Sequence, residues 1–312
     1  MRRILIAKGG ALGDWLLTLP ACSALRQALA PSSVVLLGRT SWVKLALRAG
    51  FVAAYSLEKP GWESLWVKGG ELPEKIRSLL RNFDLILSFL SDPDGTWAGE
   101  IRRWTPARYL QLLPPRPGRP VALDYWLQLR EFLQLELPLP KGPFICPWKE
   151  DLDAFEAWRS ELEESQQRRS SQFPWVVLHA GSGSRKKNWP VDYWNWVLER
   201  LHDRDLWVVL LAGEAERDWI GSLAKKAHTI GLELPLATLV ALLSQASLYV
   251  GNDSGITHLA AACGCPVLAL FGPTDPGVWQ PWGPRVTILK GGPTWEGLSP
   301  EKVLAHIENL LG

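Results

Sequence analysis

The sequence predicts an α/β protein of two Rossmann-like domains, each a parallel sheet covered by helices. Three observations carry this expectation. Short apolar runs alternate with amphipathic helical stretches along most of the chain. The alternation stops at a proline-rich stretch and then restarts. The 312 residues also exceed the usual size of a single domain.

In order, "RILIA" (residues 3–7) reads as a buried strand, "KGGALGD" (8–14) as a glycine loop and "WLLTLPACSALRQAL" (15–29) as a helix. "VVLLG" is the next strand, "SWVKLALRAG" a helix ending at Gly50, "ELPEKIRSLLRNF" a further helix and "DLILSFL" (84–90) a strand. Four prolines and a glycine within residues 136–148 mark a linker, which sets the expected domains at 1–149 and 150–312. A charged helix over 150–168 opens the second half. "WVVLHAG" and "LWVVLLAG" then read as strands, each followed by a helix. Residues 248–272 supply strand, helix and strand, and "RVTILKG" one strand more. In the terminal helix "SPEKVLAHIENLL", Ser299 is the N-cap and Pro300 takes N1. This last helix is a candidate to return to the first domain.

Composition excludes several classes. A net charge of +2 lacks the basic surface that nucleic acid requires. The four cysteines form no CxxC pair and no disulfide framework, as expected in a reducing compartment. Lys8 and Asp14 interrupt the first apolar stretch, so it reads as a mature cytoplasmic start and not as a signal peptide. No Asp-x-Asp triplet stands where it could hold a metal: "DPD" (92–94) reads as a turn, and "DLD" (151–153) lies in the charged helix.

Ligands of parallel α/β sheets collect at the carboxyl ends of the strands, and four loops there carry chemistry. Asp14 follows a glycine loop and opens a helix, as either a cap or an exposed general base. In "HAGSGSRKKNWP", Gly181, Ser182, Gly183 and Ser184 let backbone approach an anion, and Lys186 and Lys187 add positive charge. Glu214 follows a strand and a glycine, where it either favours a helix start or accepts ribose hydroxyls. In "GNDSGITHLAAACG", Asp253 and Ser254 stand at a helix N-terminus whose free amides suit a phosphate. Gly255 allows close approach there, and His258 lies one turn further in on the Ser254 face.

"GALGDWLLTLPACSALR", "HAGSGSRKKNWPVDYW" and "GNDSGITHLAAACGCPVLALFGPTDP" resemble, in order, the three signature regions of glycosyltransferase family 9, the ADP-heptose lipopolysaccharide heptosyltransferases. The terminal helix also resembles that family's. The resemblance implies a GT-B architecture, two facing Rossmann-like domains with an interdomain cleft. It implies an inverting transferase that needs neither metal nor cofactor. The nucleotide-diphosphate sugar, an ADP-sugar, would bind the C-terminal domain, and an anionic glycan or glycolipid acceptor the N-terminal one. Asp14 stands where the family has its catalytic base. Ser182, Gly183, Ser184, Lys187, Ser254, Gly255 and His258 fall around the diphosphate, Glu214 matches the ribose-binding acid, and Asp253 the acid that holds donor-sugar hydroxyls.

Residues 101–123 hold Arg102, Arg103, Arg108, Arg116 and Arg119 without an acid. They read as a solvated loop, or as a clamp for an anionic acceptor or anionic headgroups at the inner membrane, with Arg102, Arg103 and Arg108 foremost. Among 18 tryptophans, Trp42, Trp62, Trp66 and Trp97 are candidate sugar-stacking platforms. Two other functions share these features: a nucleotide-sugar epimerase or hydrolase, and a non-catalytic nucleotide-sugar-binding protein.

Overall fold

The computed structural model of the chain describes residues 2–113, 115–167 and 170–312. Arg168, the last residue of the expected charged helix, and Pro114, within the arginine-rich stretch, lie outside them. The chain divides into two units, Met1–Pro140 and Lys141–Gly312.

The first unit orders its strands β3-β2-β1-β4-β5, with β1 Arg3–Ala7, β2 Ser33–Gly38, β3 Ala53–Ser56, β4 Leu85–Ser88 and β5 Arg108–Gln111. The second is ordered β11-β10-β9-β6-β7-β8, with β6 Trp175–His179, β7 Trp207–Ala212, β8 Thr229–Leu232, β9 Leu248–Asn252, β10 Val267–Phe271 and β11 Val286–Lys290. Every neighbouring pair is parallel. Parallel strands need crossovers, which put helices on both faces and leave the strand interiors dry. Accordingly Ile4, Leu5, Ile6 and Ala7, and likewise Val176, Val177 and Leu178, are fully buried.

In each unit the chain starts mid-sheet, winds to one edge, returns and winds to the other. The reversal falls between β1 and β4 in the first unit and between β6 and β9 in the second. Crossovers leave in opposite directions there, which opens a crevice beyond the carboxyl ends of those strands.

Several elements differ from expectation. The stretch 15–29 is not one helix: Leu12–Leu16 and Leu19–Leu29 are separate, with Pro20 in the first turn of the second, where its missing N–H costs nothing. Strands β3 and β8 are short edge strands, half exposed, and carry too little apolar sequence to read. Residues 101–123 are only in part a loop: the helix Thr96–Trp104 ends there, β5 crosses the middle and the helix Val121–Leu133 begins. "DPD" is the cap of the first of these helices, with Asp92 accepting from the Trp97 and Ala98 amides.

The units meet at Pro140–Lys141, earlier than the composition suggests. The amides of Phe144 and Ile145 both donate to Ala262 O, at 2.7 and 3.0 Å, and both side chains are buried. These bonds bind residues 141–149 to the second unit. The terminal helix Pro300–Leu311, capped by Ser299, also belongs to that unit and buries Val303, Leu304 and Ile307 in its core.

Trp42, Trp62 and Trp97 are core residues, each at most 4% exposed, whereas Trp66 is 44% exposed. Burying an indole removes ~150–250 Å² from water, worth roughly 4–6 kcal/mol. Core tryptophans are therefore spent on stability, and Trp66 is the one of the four left for a ligand. Among the described residues, no helix is long and apolar enough to cross a membrane.

Candidate functional site

The second unit gathers its polar loops at its switch point. Strand β9 ends in Asn252, fully buried. Its Nδ2 donates to Ala180 O at 2.7 Å, and its Oδ1 accepts from the Trp189 amide at 3.0 Å. One side chain thus fixes both ends of the 181–188 loop that follows β6. The sequence offered Asn252 only as part of a polar cluster; its position as the last residue of a buried strand was the available signal.

Ser254 is the N-cap of the helix Gly255–Ala262, its Oγ accepting from the Thr257 amide at 3.3 Å. The first amides of this helix are left for an anion. Asp253 is 5% exposed. Its Oδ2 lies 2.9 Å from Lys187 Nζ, and its Oδ1 3.7 Å from His258 Nε2. Burial pushes the Asp253 carboxyl up, but hydrogen bonds from His258 and Lys187, with their charge, outweigh it and hold the pKa below the usual carboxylate value. His258 Nδ1 is buried and has no hydrogen-bond partner among the described residues, a cost that a ligand oxygen would remove. Ser182 Oγ lies 2.7 Å from both Ser184 O and Asn188 Oδ1, and so shapes the loop. Gly183, Ser184 and Lys186 are exposed.

Beyond β7 the structure separates two acids. Glu214 is exposed, whereas Glu216 is buried. Glu216 Oε2 accepts from the Gly213 amide at 2.9 Å, a capping contact. Its Oε1 lies against Gly181, where any Cβ would stand 2.1 Å away. This is the close approach that makes residue 181 a glycine. His179, at the end of β6, lies 4.0 Å from Glu216 Oε2 and 3.4 Å from Ser254 Oγ. Burial holds the His179 pKa well below the ordinary imidazole value, and Glu216 opposes this only in part. Sequence reading missed both residues. The Gly-x-x-Glu spacing of a helix start was the signal for Glu216.

In the first unit Asp14 lies on the short helix Leu12–Leu16, partly exposed, beyond the carboxyl end of β1. Its Oδ2 accepts from the Ala11 amide at 3.0 Å. Gly10, at φ +95°, turns the chain so that Asp14 Oδ2 would stand only 2.8 Å from a Cβ there. Asp14 is therefore a cap as well as an accessible acid. Beside it is Lys8, 8% exposed, its Nζ 5.9 Å from the Tyr125 ring centroid. Burial lowers the Lys8 pKa, and the charge of Asp14 partly restores it.

The structure does not bring Arg102, Arg103 and Arg108 to this end of the sheet. Arg102 and Arg103 end the helix Thr96–Trp104, and Arg108 begins β5, so all three lie at the amino ends of the strands. Arg103 pairs with Glu71 and Glu100, both at 3.1 Å. Arg102 packs on Tyr109, Arg103 on Trp104 and Arg108 on Phe132. Glu71, distant in sequence, and Glu100, just before the stretch, thus pair with Arg103. Arg116 and Arg119 likewise face the buried Asp124, at 2.9 and 3.7 Å.

Two doubly wound parallel units in one chain, with their polar loops at the strand reversals, are the architecture of the GT-B class. Within that class the chain belongs to glycosyltransferase family 9 (heptosyltransferase), whose family model matches residues 121–304. Lipopolysaccharide heptosyltransferase 1 of Pseudomonas aeruginosa is 28% identical over 309 residues, covering 90% of this chain and 81% of the relative. In fold the chain is similar to the family 9 glycosyl transferase of Veillonella parvula, with a TM-score of 0.77 at 18% identity over 99% of this chain and 97% of that one. It is similar also to the E. coli heptosyltransferase WaaC with ADP, with a TM-score of 0.72 at 18% identity over 99% of each chain.

Proposed function

We propose that the chain is an inverting, metal-independent transferase that moves heptose from ADP-heptose to a lipopolysaccharide core or another bacterial surface glycan. It would work in the cytoplasm, with peripheral contact to the inner membrane where the acceptor is lipid-linked. The observation that carries the donor half is the anion cradle at the second switch point: the amides opening Gly255–Ala262, the unpartnered Nδ1 of His258, and Lys187. The ADP in one similar structure and the heptosyltransferase name of the relative support the choice of donor.

The chemistry follows from these groups. The acceptor hydroxyl attacks the anomeric carbon as the bond from that carbon to the β-phosphate oxygen breaks. Negative charge collects on the departing ADP, where helix amides, Lys187 and His258 stabilise it without reorganising. The hydroxyl proton passes to Asp14 of the first unit. A single displacement inverts the anomeric centre. Asp253, kept ionised, accepts hydrogen bonds from the donor-sugar hydroxyls. Ser182, Gly183 and Ser184 line the phosphates. We assign the ribose to Glu216 in place of Glu214, because Glu216 is the acid packed against Gly181 at the head of that loop.

The test is turnover of ADP-heptose by the intact chain, with and without a heptose-deficient core glycolipid. The proposal expects ADP release that depends on the acceptor, persists in chelator and gives an inverted linkage by NMR. Free heptose or isomerised donor without acceptor would instead mark a hydrolase or an epimerase.

A further inference from the structure

His179 is a buried titratable group that the chemistry above does not use. It ends β6, the strand between β9 and β7, so its ring stands between the loops that carry Ser254 and Glu216. All three residues are 6% exposed. Nδ1 lies 3.4 Å from Ser254 Oγ, and Nε2 lies 4.0 Å from Glu216 Oε2.

The hydrogen bonds around the ring place its proton. Burial keeps the imidazole neutral near neutral pH, so it carries one N–H. Glu216 Oε2 accepts from the Gly213 amide and so presents lone pairs to the ring. A bare Nε2 would be repelled by them, whereas Nε2–H is attracted. At 4.0 Å this attraction acts through space and is not a hydrogen bond. The proton therefore belongs on Nε2, and Nδ1 is an acceptor. Ser254 Oγ is the donor it faces: Oγ accepts from the Thr257 amide at 3.3 Å and has its own proton to give. Thr257 Oγ1, 3.1 Å from Ser254 Oγ, is already supplied. It gives its proton to Asn252 O and takes that of the Tyr249 hydroxyl, 3.1 Å away.

We propose that His179 is a positioning residue of the donor site: as its Nε2–H tautomer it ties the phosphate-binding cap Ser254 to the ribose-binding acid Glu216. The spacing of the two subsites is then set across three neighbouring strands before a ligand arrives. Both halves of one nucleotide can be met without reordering the site. Glu216 Oε2 is held from two sides, by the Gly213 amide and by the ring, and Oε1, beside Gly181, is left for a ribose hydroxyl. The inference rests on the proposed assignment of the ribose to Glu216 and adds what orients that acid.

Two measurements on the intact chain test it. Nitrogen NMR of labelled histidines near neutral pH should show His179 as the Nε2–H tautomer, its signal identified by its loss in His179→Gln. An Nδ1–H ring or an imidazolium would overturn the proposal. The second measurement is calorimetry with ADP and with pyrophosphate, read as the ratio of their dissociation constants. Asparagine reaches the place of Nδ1 but not that of Nε2. His179→Asn therefore keeps an acceptor for Ser254 and leaves Glu216 without the ring. It should weaken ADP by roughly three- to fivefold, the lower part of what one hydrogen bond contributes, and leave pyrophosphate unchanged. Glutamine reaches the place of Nε2, so His179→Gln should restore the wild-type ratio. Equal weakening of both ligands in His179→Asn would mark a merely structural histidine and overturn the proposal. If His179→Asn does not fold, the tautomer of the wild-type chain decides. Glu216→Gln, measured beside it, separates the two readings. An unchanged ratio there would remove the ribose from Glu216 and this inference with it. A changed ratio there with an unchanged one in His179→Asn would overturn this inference alone.

Discussion

Lys187 Nζ lies 2.9 Å from Oδ2 of Asp253, and this contact joins the loop after β6 to the loop after β9. The two residues are 66 positions apart in sequence and meet because their strands are neighbours at the switch point. A bound diphosphate sugar would share the pair: its phosphates would draw on the lysine and its hydroxyls on the carboxylate.

Lys187→Met is expected to weaken ADP binding by about tenfold or more, the scale of a lost charged hydrogen bond. Lys187 is 31% exposed, so solvent screens its bond to Asp253. A double-mutant cycle with Asp253→Asn should therefore give a coupling of only about 1 kcal/mol in denaturant unfolding. Unchanged ADP affinity by calorimetry would remove Lys187 from the donor site.

Glu216→Gln should weaken ADP by ~1.5–3 kcal/mol and leave pyrophosphate binding nearly unchanged, because only the nucleotide has ribose hydroxyls. Glu214→Ala, at an exposed position, should change neither. The reverse pattern would return the ribose to Glu214.

His179 gives a stability signature. Burial lowers its pKa, so between its folded value and the unfolded value of about 6.5 the unfolded chain binds the extra proton. Its contribution is fully present above about pH 6.5 and declines as pH falls, with a slope of at most ~1.4 kcal/mol per pH unit. His179→Gln should flatten the acid limb of the stability curve by part of that slope. Identical acid limbs for variant and wild type would show that His179 does not resist protonation.

Replacing Arg102, Arg103 and Arg108 together by alanine should lower the melting temperature only slightly, because exposed cation–π contacts and surface ion pairs are screened by solvent. The acceptor KM should stay within about twofold, because these residues lie at the amino ends of the strands. A large rise in that KM would restore the arm to acceptor binding.

The doubly wound order could be anticipated wherever a strand was buried on both faces, as at Ile4–Ala7 and Val176–Leu178, because such strands are unbroken apolar runs. It could not be read at β3, β5 and β8, which are short and carry polar or arginine side chains. The Ser254 cap was legible because capping is local: the helix opens where small polar residues replace apolar ones. Asn252, His179 and Lys8 were not legible as site residues. Their roles come from neighbours on other strands and helices, and a buried histidine or lysine looks like any other in sequence. The pairing of Arg103 was hidden for the same reason, since Glu71 is more than 30 residues away from it.

The most direct test of the account is Asp14→Asn, assayed for turnover, ADP affinity and melting temperature in one preparation. Asparagine can still accept the Ala11 amide bond that Asp14 Oδ2 makes at 3.0 Å, so the helix start should survive with little loss of stability. It cannot take the proton of the acceptor hydroxyl, so kcat should fall by roughly 10²–10⁴-fold while ADP binding stays at the wild-type level. Turnover near wild type in the folded variant would contradict the assignment of Asp14 as the base.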